Sequence, residues 1–592
     1  MSTAQGEVLS PLESTTAPPR LHWFDAAFLL VSPLLAWVVF DINLINQDTY
    51  VDPWFYTGYG QSFEKMVVVY RWTYYALRFP VVFLNTLCCS GDAPAAGYSL
   101  LRYALVLLAG VPLYILAQRH FGRVAAVCSY LFLFCNALFL RVILWDLTPF
   151  VSVPAALAGI CIWLLSEKWR LTGRFVAGAL FAASISSHVF TITAIGCFVA
   201  VDSAVSLRSA ESRRRLAREL ITAVLGAVAM IALGTVYYVA RLGEFDPRLL
   251  FSVNLFAMRA GSAFVAANSR PFPVWIVSAT YIYVPVTLLA ATIAMRRALA
   301  RSRVELVIVG FLAGYCAFYA VYCYFRGSFI LHTFYYFGHL TIAVYLIVPL
   351  VVGLFVRLTG AALSIAVAFV LALLLPLVAL RFEIEPADRF FNTIIADMPR
   401  LGVFWTVSLL LVMFLAVKRL PRLLFPWVVA VVVFSMQLAT LADPVHRRVF
   451  DYRVFAREHG VYLAGVEYVR FVTQYDTASR RVLVWTTTDV SLGSVTFTML
   501  GDAIHAPFTG ARMPTIGERE RERLALPQLR YVMMLATRPE DIASGKAALE
   551  SAGIRYRPVE TRRLGDSAYS AVAELIEIVR APGSQSQLMP QR

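Results

Sequence analysis

Phe175–Ser206 reads FVAGALFAASISSHVFTITAIGCFVAVDSAVS. A membrane-crossing helix needs about twenty apolar residues, so this run is too long for one crossing and short for two. The polar break Ser186-Ser187-His188 divides it into spans 175–187 and 188–206. That division decides the topology, because it sets whether the number of crossings is odd or even. Working outward with the same ruler gives further spans near 23–43, 99–117, 123–140, 147–165, 219–240, 274–295, 305–325, 333–356, 361–381, 401–417 and 426–443. The total is thirteen, and the fold class is a polytopic α-helical membrane protein.

The composition agrees. Of 592 residues, 59% are hydrophobic and 15% are charged, with a mean hydropathy of +0.68. A soluble domain carries about a quarter charged residues. A formal net charge of +15 would serve a nucleic-acid partner only as a basic face on a soluble domain. Here Lys and Arg sit in short clusters between apolar runs, so nucleic acid is excluded and membrane lipids are the expected surroundings. Most of the eight cysteines fall within apolar runs and behave as small hydrophobes. Cys88-Cys89 reads as packing, and the C-terminal stretch has no cysteine to staple it. Residues 1–20, rich in Ser, Thr and Pro, read as a disordered tail without signal-peptide features, so the first span is retained.

Orientation follows from charge. With the N-terminus in the cytoplasm, inside loops contain Arg119/Arg123, Lys168/Arg170/Arg174, Arg208/Arg213/Arg214/Arg215/Arg218, Arg296/Arg297/Arg301/Arg303, Arg357 and Lys418/Arg419/Arg422. Short outside loops carry Arg141 and Arg326. This alternation survives only if 175–206 is two helices. An odd count then puts the C-terminal part outside, in the periplasm of a bacterial inner membrane.

The domains are the tail 1–20, a membrane domain 21–443 with a long first outside loop 44–98, and a water-soluble α/β domain 444–592. The long loop holds two half-apolar, aromatic-rich segments, 55–69 and 74–87, that read as helices lying at the membrane surface. Outside loops 241–273 and 382–400 are also sizeable. In the C-terminal domain, 481–487 (RRVLVWT), 529–535 (LRYVMML), 556–560 and 573–579 read as strands, and 539–552 as a helix with acids in its first turn. It contains no P-loop, GxGxxG, CxxC or Ser-centred nucleophile elbow.

The stretch most suggestive of chemistry is Gln47–Tyr59, QDTYVDPWFYTGY, just outside the first span. Asp48 and Asp52 lie there near the hydrocarbon boundary among aromatics, where reduced dielectric suits a carboxylate general base. Asp52-Pro53 equally fits the N-cap and first position of the surface helix. In the tiny second outside loop, Asp146 fits an N-cap or interfacial position before the fourth span.

These residues resemble those of the GT-C class of integral membrane glycosyltransferases. Asp52-Pro53-Trp54-Phe55 is similar to the run opening the same loop in oligosaccharyltransferase catalytic subunits. Arg71, Tyr74-Tyr75, Arg78, Pro80 and Gly91 resemble the loop of bacterial lipid-linked-sugar transferases, the relatives of protein mannosyltransferase and aminoarabinose transferase. The next segment, Arg102 through Gln118-Arg119-His120-Phe121-Gly122-Arg123, also matches their usual short inside turn. The resemblance covers roughly 20–210 in detail and later spans in architecture.

It implies a GT-C-like fold of about thirteen transmembrane helices and Asp52 as catalytic base, with Asp48 as alternative and Asp146 facing the same cavity. It also implies a polyprenyl-phosphate-linked sugar as donor and a cell-envelope acceptor. The lipid-phosphate leaving group needs positive charge, for which Arg78, Arg259, Arg270, Arg326 and His332 are the outer-face candidates. His188, Tyr56 and Tyr335 are candidates for the acceptor or cavity wall. No Trp-Trp-Asp-Tyr-Gly peptide-reading motif is present, and no acid follows two residues after Asp146. Asparagine-linked transfer and a paired-acid metal site are therefore not expected, and no cofactor is assigned. The rival reading is a transporter or flippase. It is disfavoured by the lack of internal repeats, by scarce mid-span ionisable residues and by acids gathered in outside loops.

The charge reading carries its own test. In a cysteine-free background, a single cysteine introduced at Lys546 should react with a membrane-impermeant maleimide added to intact cells permeabilised only at the outer membrane. Protection at that position until the inner membrane is broken would reverse the orientation.

Overall fold

His188 ends one helix and Thr191 begins the next, so 175–206 is indeed two helices. In the computed structural model the described residues are 22–42, 51–61, 63–70, 73–89, 94–144, 149–166, 169–207, 210–250, 252, 288–289, 292–293, 295, 299, 302–326, 334–386, 389, 425–441, 452–475, 482–486, 505–506, 516, 522, 524–527 and 529–580. The helices are α1 (Trp23–Phe40), α2 (Val51–Gln61), α3 (Phe63–Tyr70), α4 (Phe79–Cys89), α5 (Pro94–Phe121), α6 (Arg123–Cys135), α7 (Ala137–Leu144) and α8 (Pro149–Leu165). They continue as α9 (Arg170–Ser187), α10 (Thr191–Ser206), α11 (Ala210–Leu242), α12 (Arg303–Arg326), α13 (Phe334–Thr359), α14 (Ala362–Arg381), α15 (Phe425–Leu441) and α16 (Tyr452–Tyr475). The C-terminal part adds β1 (Val482–Thr486), β2 (His505–Ala506), β3 (Tyr531–Ala536), α17 (Pro539–Ser551), β4 (Tyr556–Gly565) and β5 (Ser570–Ile578).

Among the described residues, six helices are long and apolar enough to cross a membrane, or seven if the bent pair α6/α7 is one crossing. α8, α10 and α15 are shorter apolar helices. The protein is an integral membrane protein on this evidence. Expected span 274–295 lies largely, and 401–417 wholly, outside the described residues. α13 is the central helix, with 94% of its apolar window buried, whereas α11 is peripheral at 11%. On α11, Ile221, Val224, Leu225, Val228, Leu233 and Val236 are exposed, as befits a lipid-facing stripe.

Ion pairs sort the helix ends into two faces. At the face expected inside, Asp25 of α1 accepts from Tyr114 at 2.8 Å and pairs with Arg123 at 2.9 Å. Arg303 of α12 reaches both oxygens of Asp202 at 2.6 and 2.8 Å, and Trp163 donates to the same carboxylate at 3.0 Å. Arg174 of α9 pairs with Glu219 of α11 at 2.8 Å and lies 4.0 Å from the Trp163 ring centre. Arg357 of α13 meets Glu305 of α12 at 2.6 Å. At the other face, Asp41 pairs with Arg381 at 2.5 Å and Glu64 with Arg241 at 2.6 Å. Every one of these pairs joins ends assigned to the same side by the charge alternation.

Two features differ from expectation. Arg141, expected in an outside loop, lies within α7 and is fully buried. The third span is broken at Asn136, where the axis bends by 53°. The break is stabilised by polar groups rather than left open. Asn136 Oδ1 accepts from the Leu138 N–H at 3.1 Å, and Gln437 Nε2 of α15 donates to the Cys135 carbonyl at 3.0 Å. Asn136 Nδ2 also reaches Gln437 Oε1 at 3.4 Å.

Among the described residues, the C-terminal part contains a five-stranded sheet of order β2-β1-β3-β5-β4. β2, β1 and β3 are parallel, and β5 is antiparallel to both β3 and β4. Strands β1 and β3 read as continuous apolar runs because both faces are covered. Val482, Val484, Met533, Leu535 and Leu575 pack with α16, while Trp485, Val532, Met534 and Ile576 pack with Ile542 and Leu549 of α17. Helix α16, which hydropathy does not single out, therefore closes one face. The same cluster contains Tyr98 of α5 and Cys88 of α4, so the sheet unit docks beside the 44–98 segment. The two share a face whatever the total span count.

Glu219 offers a stability test. Arg174 and Glu219 are 2% and 7% exposed, and removing one member of a buried pair costs about 3–5 kcal/mol. Glu219→Ala should lower the unfolding temperature in detergent clearly, whereas Arg389→Ala, whose pair with Glu385 is exposed, should leave it unchanged.

Candidate functional site

The site is built on α2, because the backbone of Asp52 lies in its first turn. The Asp52 side chain lies outside the described atoms. Positions 52 and 56 are four residues apart and share one face of the helix. Tyr56 is fully buried, and Arg78 donates to its hydroxyl. The Arg78 guanidinium also sits 4.7 Å from the Tyr74 ring centre and 5.6 Å from that of Tyr56. It is held in an aromatic cradle by the turn 74–77 that leads into α4. Arginine suits this setting because its guanidinium stacks on rings and is weakly hydrated.

Two contacts hold α2 to the helices behind it. A Cβ on Gly60 would press on Asn85 of α4 at 2.9 Å, so the bare glycine permits that approach. Thr57 Oγ1 and the Tyr98 hydroxyl of α5 are 3.0 Å apart in a buried hydrogen bond. Tyr59 is fully buried, and burial pushes its phenol up to about 12, against the lowering effect of its hydrogen bond with Thr73.

A second arginine, Arg102, is fully buried one turn along α5 from Tyr98. Its guanidinium is 5.1 Å from the Tyr98 ring centre and 4.5 Å from that of Phe150, at the start of α8. On the central helix, His339 lies 4.6 Å, ring centre to ring centre, from His188 at the α9–α10 turn. His188 is 4% exposed, so the turn is folded in against α13 rather than left to solvent. Phe190 packs edge-on against His339 at 5.6 Å. Of the residues singled out in the sequence, Tyr56 and Arg78 meet directly, and His188 meets His339. The sequence reading missed His339, Arg102 and the role of Tyr98. Only the polarity of His339 and Arg102 within apolar runs marks them.

The other candidates are placed as follows. Arg326 ends α12 and Tyr335 opens α13, with side chains outside the described atoms. Asp48, Asp146, Arg259, Arg270 and His332 lie outside the described residues. Among the described residues, no group of three or more His, Cys, Asp or Glu could hold a metal.

No protein-family model matches the sequence, and no curated protein matches it. Among solved structures, the chain is similar to ArnT from Cupriavidus metallidurans bound to undecaprenyl phosphate, at 13% identity and TM-score 0.45, covering 96% of this chain and 100% of that one. The apo state of the same protein aligns at 17% identity and TM-score 0.41, over 93% of this chain and 97% of that one. The Archaeoglobus fulgidus oligosaccharyltransferase tethered to an acceptor peptide aligns at 14% identity and TM-score 0.35, over 86% and 69%.

A guanidinium carries the charge and the paired N–H groups that phosphate oxygens accept from, so anion binding at Arg78 can be tested directly. Arg78→Ala should weaken binding of dodecyl phosphate by roughly tenfold to a hundredfold in calorimetric titration. Arg78→Lys should recover part of that loss, since an ammonium keeps the charge but not the stacking. Unchanged affinity in Arg78→Ala would remove the anion-binding role.

Proposed function

We propose that this protein is an inverting GT-C-type glycosyltransferase that moves a sugar from a polyprenyl-phosphate donor to a hydroxyl of a cell-envelope glycan, lipid or protein. The carrying observation is the Arg78 cradle, fastened through Tyr56 to the same face of α2 that bears position 52. This arrangement supports a reading in which a proton acceptor at position 52 and a phosphate binder at Arg78 work side by side.

In this reading the Asp52 carboxylate removes the acceptor hydroxyl proton, with Asp48 the alternative base. The freed oxygen attacks the anomeric carbon in line, and the bond from that carbon to the phosphate oxygen breaks. The polyprenyl phosphate leaves with the electron pair, and a single displacement inverts the centre. Charge growing on the leaving group is stabilised by Arg78 with Arg259, Arg270, Arg326 and His332. Asp146 faces the cavity, while His188, Tyr56 and Tyr335 shape its wall. The domains act as 1–20, 21–443 and 444–592, with the last in the periplasm covering the site.

The transporter reading draws support from one observation. Arg141 and Arg102 are fully buried within helices, and α6/α7 is broken at Asn136, features common to transport pathways. The two readings part on one experiment. Purified protein in vesicles is given a labelled polyprenyl-phosphate sugar and an envelope extract, and both transfer and transbilayer movement are followed. An enzyme transfers label, and Asp52→Asn lowers that rate by at least about a hundredfold while leaving the protein folded. Undiminished transfer by the variant would overturn the base assignment. Lipid movement without transfer would favour the flippase.

A further inference from the structure

Tyr98 lies on α5, yet it packs into the core of the C-terminal unit. It is fully buried within the cluster formed by α16 and the inner face of the sheet. Its ring lies 5.0 Å from that of Tyr462 on α16, centre to centre, at 59°. Its hydroxyl is 3.0 Å from Thr57 Oγ1 on α2, and Thr57 is itself buried. Its place along the helix is set by the preceding residue, because a Cβ on Gly97 would fall on the Cys88 carbonyl of α4. Arg102, one turn on, lies over the opposite end of this arrangement at 5.1 Å from the Tyr98 ring. Three bodies therefore meet on one phenol: the helix carrying Asp52, the bundle and the C-terminal unit.

We infer that Tyr98 is a positioning residue that transmits the pose of the C-terminal unit to helix α2. Docking of Tyr462 holds the Tyr98 ring, and the ring in turn fixes the hydroxyl that anchors Thr57. A shift of α16 then moves α2 without any direct participation of the C-terminal unit in chemistry. The inference rests on the reading of α2 as the helix of the catalytic base.

Hydrogen exchange on the full-length protein in nanodiscs tests it. Tyr98→Phe keeps the ring and deletes only the anchor. Its backbone amides at 56–61 should exchange about tenfold faster, the scale of one lost buried hydrogen bond. Tyr462→Ala should raise exchange in the same segment, Tyr462→Phe should match the parent, and the Tyr98→Phe/Tyr462→Ala double variant should go little beyond either single change. In the transfer assay, Tyr98→Phe should lower kcat about tenfold with KM for the lipid donor unchanged. Exchange in α2 unmoved by Tyr462→Ala, fully additive effects, or an increase spread equally over α13 would each overturn the coupling. An active Asp52→Asn variant overturns the catalytic reading instead and leaves the exchange coupling standing.

Discussion

A charge held at the end of a membrane-crossing helix needs its counter-charge at the same depth, and the bundle is organised around that constraint. Arg174 meets Glu219, Arg303 meets Asp202, and Trp163 touches both ion pairs through its indole N–H and its ring. The inner ends of α8, α9, α10, α11 and α12 are thus tied at one level. Uncompensated burial of any one of these charges would cost several kcal/mol, on the order of 3–5 kcal/mol per broken pair. α9, tied at one end through Arg174, ends at Ser187, and the turn that follows brings His188 against His339 on the central helix. The ion-pair layer and the His188–His339 contact thus sit at the two ends of one helix.

Much of this was legible in the sequence because its causes are local or periodic. The break at Ser186-Ser187-His188 is a composition signal, and the Arg alternation is a record of sidedness. The ion pairs join ends that the alternation assigns to one side, Asp41 with Arg381 and Asp25 with Arg123. Strands β1 and β3 were readable as unbroken apolar runs, and α17 from its acidic first turn and proline start.

The parts that escaped are nonlocal. Arg141 reads as a loop residue because arginine in an apolar run usually marks an end, yet α7 continues past it and buries it. Nothing near Asn136 announces a break, since the group that stabilises it, Gln437, lies 301 residues away. α16 carries polar and apolar residues in a mixture that hydropathy does not single out. His339 falls within an apolar span with no motif around it, and its meaning appears only when His188 is folded beside it. Tyr98 is one aromatic among many until Thr57 and Tyr462 converge on it. For Asp52, the sequence supplied the position and the structure supplies the helix that bears it and the contacts that hold that helix.

The two ends of the connection to the C-terminal unit bear on Arg102 from different directions. α15 precedes that unit, and its Gln437 satisfies the Cys135 carbonyl exposed by the α6/α7 break. The 53° bend sets where α7 points, and hence where the chain returns at Phe150 beneath Arg102. α16 follows, and its Tyr462 bears on Tyr98, whose hydroxyl meets α2. Arg102 lies over both Phe150 and Tyr98, so the two routes converge on one buried guanidinium. A buried cation tolerates little displacement, because its stacking on the rings of Tyr98 and Phe150 is lost within an ångström or two. The return of the α7–α8 segment and the pose of α2 are consequently constrained together. A unit that carries no recognisable chemistry of its own can in this way govern the geometry of the face on which it sits.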